Sequence, residues 1–149
     1  MMDVATILNV QQVEIDMEAQ TQEEVIRKLS EKINEKQVLT NKDAYIGSVL
    51  ERESQSTTGV GGGIAIPHGK SKGVLEAAIA VGKLKTPVEW KSLDDQPVSV
   101  VIMFAIPEKD KKDTHLKLLS QISMKLMDDD VVEKLKKETD KQKIVNILS

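Results

Sequence analysis

Apolar residues along this chain follow two rhythms, one of period two and one of about 3.6, and their order predicts the layout. From Val10 to Ile15 apolar and polar positions alternate, with Val13 and Ile15 on one side, which predicts a first strand. Thr21-Gln22-Glu23-Glu24 has the form of a capping box. Behind it Val25, Leu29 and Ile33 recur every four residues with Ile26 alongside, predicting an amphipathic helix to about Lys36. Thr40 or Asn41 can cap a second helix whose buried stripe is Tyr45, Ile46, Val49 and Leu50. That helix carries Arg52 and Glu53 to the edge of a glycine-rich stretch.

Ile64 to Ile66 reads as a short strand stopped by Pro67, which has no N–H for a central ladder. Ala78 to Val81 and Val88 to Trp90 read as two further strands, separated by Lys83-Leu84-Lys85-Thr86-Pro87. Val98 to Ile106 is apolar almost throughout, the pattern of a central strand covered on both faces. Asp113 or Thr114 then caps a helix with Leu116, Leu119, Ile122, Ser123 and Leu126 on its buried face. Asp128 to Asp130 opens a helix through Val131, Val132 and Leu135, and Thr139 or Asp140 starts a last one through Ile144, Ile147 and Leu148. Interleaved helices and strands predict an α/β layer fold around a central sheet. No linker or repeat divides the 149 residues, so one domain is expected.

Composition narrows the function classes. A net charge of −3 and three aromatic residues, Tyr45, Trp90 and Phe104, argue against a nucleic-acid binder, which needs a basic face and stacking platforms. No apolar run approaches the roughly 20 residues that span a bilayer. Met1-Met2-Asp3-Val4-Ala5 lacks the basic-then-apolar layout of a secretory signal, and cysteine is absent, so a cytoplasmic protein without disulfides or zinc-thiolate sites is expected.

The chemistry gathers between Arg52 and Lys70. A hydroxyl cluster of Ser54, Ser56, Thr57 and Thr58 leads into Gly59-Val60-Gly61-Gly62-Gly63, and the apolar run after it ends on Pro67-His68-Gly69. Arginine and hydroxyls donate to phosphate oxygens, and the amides of Gly61 to Gly63 can form an anion nest. Imidazole is a competent nucleophile, so His68 beside such donors is a candidate phosphoryl acceptor; the alternative is a surface-turn histidine. His115, the second histidine, shares a helix face with Leu119, Ile122 and Leu126. It is either a partly buried core residue or a neutral ring that donates to a phosphoryl oxygen or orients His68, since a helix N-terminus disfavours the imidazolium. Gly69-Lys70-Ser71 looks like the end of a phosphate-binding P-loop, but position 64 is isoleucine where that motif requires glycine. No HxxxH or HxH spacing supports a metal site. The carboxylates Glu108, Asp110, Asp113 and Asp128 to Asp130 are read as solvated loop and cap charges.

Arg52-Glu53, Ser56-Thr57-Thr58-Gly59 and Gly63-Ile64-Ala65-Ile66-Pro67-His68-Gly69 together resemble the active-site signature of the fructose/mannitol class of enzyme IIA, a component of the bacterial phosphoenolpyruvate-dependent sugar phosphotransferase system. Val88-Glu89-Trp90, Leu93-Asp94, Pro97-Val98 and His115-Leu116-Lys117-Leu118-Leu119 are similar to that family too, while Gly62 stands where related signatures often carry a polar residue. The resemblance implies a mixed sheet flanked by helices on both faces, in a single enzyme IIA domain over residues 1–149. It implies that His68 accepts a phosphoryl group from the histidine-containing phosphocarrier protein and passes it to a cysteine on a transporter's IIB domain, with no cofactor and no metal. His115 and Arg52 then line the acceptor's pocket, Glu53 orients Arg52 or the imidazole, and Ser56, Thr57, Thr58 and Gly63 support the phosphate. With no cysteine here, the IIB cysteine must lie outside these residues, and any link to the membrane is indirect. A regulatory relative, in which the phosphorylation state of His68 governs partner binding without sugar transport, shares the same signature.

Overall fold

The computed structural model describes residues 4–109 and 114–149. A short helix α1 (Val4–Ile7) and a 3-10 turn (Val10–Gln12) precede strand β1 (Val13–Met17). The predicted first strand therefore starts three residues later, because Asn9 caps the turn by accepting from Gln11 N at 2.9 Å. Helix α2 (Gln22–Asn34) begins where Thr21 Oγ1 accepts from Glu24 N at 3.1 Å, and buries Val25, Ile26, Leu29 and Ile33. Asn41, rather than Thr40, caps α3 (Lys42–Gln55) by accepting from Ala44 N at 3.0 Å, and Tyr45, Ile46 and Val49 are buried. Strands β2 (Gly59–Gly61), β3 (Ile64–Ala65), β4 (His68–Ser71), β5 (Ala78–Val88) and β6 (Val98–Pro107) follow. Helices α4 (Thr114–Lys125), α5 (Asp129–Lys137) and α6 (Lys141–Leu148) complete the chain.

The sheet is mixed and runs β1-β5-β6-β3-β2, with β4 also paired to β6. β6 is central: β5 lies antiparallel on one side, while β3 and then β4 lie parallel on the other. Alternate residues of β6 enter two cores. Val100, Ile102, Phe104 and Ile106 face α1, α4, α5 and α6, whereas Val101, Met103 and Ala105 face α2 and α3. Its unbroken apolar run thus reflects cover on both faces, as expected for an α/β layer fold.

Three details differ from the sequence reading. Glu89 and Trp90, expected in a further strand from Val88, lie outside any strand, whereas the strand expected at Ala78–Val81 runs on to Val88 as β5. Its ladder to β6 is irregular between Lys83 and Val88, where Lys85, Thr86 and Pro87 are exposed, so the proline removes no buried hydrogen bond. On α4 the buried positions are Leu118 and Ile122, one turn apart, with Leu119 partly buried, while Leu116 is 43% exposed. At β1, Asp16 takes φ +55° and the register to β5 shifts between Glu14 and Met17. This turns Met17 into the core opposite to that of Val13.

Candidate functional site

Helix α3 and strand β4 run side by side in opposite directions, and two glycines set how close they come. A Cβ on Gly69 would meet Val49 Cγ2 at 2.8 Å and Val49 N at 3.0 Å, and one on Gly73 would meet Asn41 Cβ at 3.2 Å. Only glycine lets the helix lie this near. The approach is fastened by Tyr45, whose hydroxyl donates to the carbonyl of Phe104 at 2.8 Å, directly across the ladder from His68. Burial pushes the Tyr45 phenol well above its ordinary range, so it remains a donor. Tyr45, Ser48, Val49 and Arg52 lie along one stripe of α3, which brings Arg52 to the start of β4, where His68 stands.

His68 is half-buried at the first position of β4, one residue past Pro67. Its Nδ1 lies 3.0 Å from the carbonyl oxygen of Ile66. A carbonyl can only accept, so this bond places the hydrogen on Nδ1 and leaves the lone pair on Nε2. Burial holds the imidazole below its ordinary pKa, and the Arg52 guanidinium acts the same way. The Ile66 carbonyl and the Glu53 carboxylate oppose them by favouring the protonated ring. The net shift favours the neutral ring.

Arg52 Nη1 donates to the carbonyl of Ser56 at 2.8 Å and to Ser56 Oγ at 3.2 Å. Glu53 acts on the imidazole through its charge and makes no hydrogen bond to it or to Arg52. Its carboxylate accepts from Thr58 N at 3.0 Å and bonds the Thr58 hydroxyl, while Trp90 Nε1 donates to Glu53 Oε1 at 3.3 Å. Thr57 Oγ1 donates to the Trp90 carbonyl at 3.2 Å and accepts from Gly59 N at 3.0 Å. The hydroxyls of Thr57 and Thr58 are thus engaged in shaping the loop, and Ser56 engages the arginine.

The glycine turn lies apart from His68 along the sheet edge. Gly61, Gly62 and Gly63 all have positive φ, the left-handed conformation that needs glycine. Gly63 sits beside Ser99 at the β3 end of the edge, and its carbonyl accepts from Ser99 N and Val100 N at 2.8 and 3.0 Å. His68 pairs with Phe104, four residues farther along β6 and so about 13 Å away. Gly62 N already donates to Asp94 Oδ2 at 3.0 Å, so a side-chain carboxylate occupies the anticipated nest. That contact and the Gln96 N–H hold the Asp94 carboxyl below the usual range.

His115 falls in the first turn of α4, and its side chain lies outside the described residues, as do Asp110 and Asp113 entirely. Gly69-Lys70-Ser71-Lys72-Gly73 has the G-x-S-x-G spacing of a hydrolase nucleophile elbow, but Ser71 ends a strand, is buried and accepts from Gly73 N at 3.0 Å. An open cavity of about 750 Å³ lies past Glu53, against Leu50, Thr57 and Trp90, and His68 does not line it. Among the described residues no cluster of His, Asp and Glu is placed to hold a metal ion, and no helix is long and apolar enough to cross a membrane. Trp90 is the residue that sequence reasoning missed at this site. It stands 37 positions from Glu53, and no spacing rule links the two.

Residues 6–149 match the family described as phosphoenolpyruvate-dependent sugar phosphotransferase system, EIIA 2. A fructose-specific EIIABC component of Bacillus subtilis is 35% identical over 99% of this chain, which spans 23% of that protein's length. A fructose-specific EIIA component of Haloferax volcanii is 32% identical over 99% of this chain and 95% of its own. The crystal structure of the nitrogen regulatory protein IIA-Ntr from Neisseria meningitidis superposes with a TM-score of 0.90 at 25% identity, over 98% of this chain and 99% of that one.

Proposed function

The chain belongs to the EIIA 2 family of the phosphoenolpyruvate-dependent sugar phosphotransferase system, and on that premise we propose that His68 is its phosphoryl acceptor. The donor in this reading is the histidine-containing phosphocarrier protein, and the onward acceptor is a cysteine of a IIB domain, in fructose-type uptake. Residues 1–149 act as one enzyme IIA module. The observation that carries the assignment is the bond from His68 Nδ1 to Ile66 O, because it keeps the hydrogen on Nδ1 and leaves the lone pair on Nε2 for attack.

The Nε2 lone pair forms the new N–P bond as the donor's N–P bond breaks, and the donor imidazole keeps the electron pair. The ring then carries roughly −1.5 to −2 charges, by analogy with other phosphorylated side chains. Arg52, whose field already reaches the ring, offsets that charge. Phosphoryl transfer depends on such positioning and charge stabilisation more than on covalent machinery. His115, at the N-terminus of α4, is proposed as a second donor to the phosphoryl oxygens.

Incubation with phosphoenolpyruvate, enzyme I and the carrier protein should add one acid-labile phosphoryl group by intact-mass spectrometry at alkaline pH. His68→Ala should add none, and normal acceptance by that variant overturns the assignment. His115→Ala should fold and accept more slowly; an unchanged rate reduces it to a packing residue. The close superposition on a nitrogen regulatory protein favours a second reading, in which phosphorylated His68 governs partner binding without sugar transport. Passage of the label to a IIB cysteine separates the two.

A further inference from the structure

Helix α3 ends without the usual left-handed glycine. Its C-cap, Ser56, is extended at φ −166° and ψ 153°. The carbonyls of the last turn therefore gain no Schellman closure, and side chains hold the exit of the helix instead. Arg52 takes Ser56 from one side. From the other side the peptide of Thr58 is clamped by Glu53, and Thr57 is tied to the backbone of Trp90.

The indole of Trp90 lies at the centre of that clamp. Nε1 stands 3.3 Å from both Glu53 Oε1 and Thr58 Oγ1, and the residue is 2% exposed within the α2–α3 core. A buried N–H aimed between a carboxylate and a hydroxyl that already bond each other ties both to the core and restrains their rotamers. The two neighbours it holds bracket Ser56, the residue on which Arg52 rests.

We infer that Trp90 is a positioning residue for phosphoryl transfer: its indole N–H, through Glu53 and Thr58, sets the Ser56 loop and thereby the place of the Arg52 guanidinium beside His68. Trp90 touches neither the imidazole nor the phosphoryl group. Its effect on the reaction passes through Arg52 alone, which separates it from a residue that merely fills the core. The inference rests on His68 being the acceptor.

Trp90→Phe keeps the apolar bulk and deletes the donor. In single-turnover transfer from the phosphorylated carrier protein to the full chain, this variant should slow phosphoryl uptake by up to roughly a hundredfold, the scale of a catalytic group misplaced by about 1 Å. The carrier concentration giving half-maximal rate should not change. In an Arg52→Ala background the same substitution should have no further effect, because coupled residues are not additive. Equal losses in the two backgrounds, or no loss in wild type, overturn the positioning role while leaving His68 the acceptor. Absence of phosphoryl uptake by the wild-type chain overturns both.

If Trp90→Phe does not fold, Thr58→Val deletes the hydroxyl between Glu53 and the indole and should reproduce the Arg52-dependent loss. Thr58→Ser should restore the rate, and failure of that rescue with folding intact overturns the inference.

Discussion

His68 combines two demands that pull against each other. As the proposed phosphoryl acceptor it must be reachable by a partner, yet its ring must stay neutral to attack phosphorus. Partial burial and the neighbouring guanidinium lower its proton affinity, while the Ile66 carbonyl fixes which nitrogen keeps the hydrogen. The unfolded chain holds this histidine near its ordinary pKa of about 6.5, and the folded chain below that. Between the two values the unfolded state binds more protons, so stability rises with pH across that window and falls as the pH drops below about 6.5. Urea titrations over this range should show that slope, and His68→Gln should flatten it. An unaltered slope in the variant would assign the dependence to another group.

At the scale of elements, the site depends on α3 lying against β4. Gly69 is the contact that permits it, since an added methyl meets both the Val49 side chain and its backbone nitrogen, and the helix backbone cannot turn aside as a flexible side chain can. Gly69→Ala should destabilise the fold by about 1–3 kcal/mol, the usual scale of overpacking. It should also slow phosphoryl acceptance beyond what stability explains, because Arg52 moves with the helix. Thermal unfolding and transfer rates on the same variant check both parts; full activity in a folded variant would show that Arg52 tolerates the shift. Helices α2, α3, α5 and α6 were legible from local chemistry, whereas α1 and the 3-10 turn before β1 were not. Thr21, Asn41, Asp128 and Asp140 each accept from a backbone N–H at the start of a helix. Strands β2 and β4 were not legible, since two to four residues that include glycine and histidine carry no period.

On the scale of the whole molecule, β5 and β6 are shared walls between two cores. Ile102 and Met103 are neighbours in sequence, fully buried, and belong to opposite cores. Truncating either to alanine should cost about 2–5 kcal/mol. Because the sheet joins the cores, each variant should still unfold in one transition, with far-UV circular dichroism and Trp90 fluorescence coincident in urea. Separate midpoints would mean that the two layers fold independently.

The amino-acid sequence alone determined the α/β class, the central strand and most helix starts. These follow from periodicity, capping residues and residue chemistry within short windows. Tertiary structure decided what lies across long loops. It carried β5 through Pro87 to Val88, put Leu118 rather than Leu116 inside, filled the glycine turn with Asp94 and gave Glu53 to Thr58 and Trp90. The reason is physical: a cap or a helical stripe is satisfied by residues within one or two turns. The partner of a half-buried carboxylate or a buried indole is chosen by whichever distant segment the sheet brings beside it.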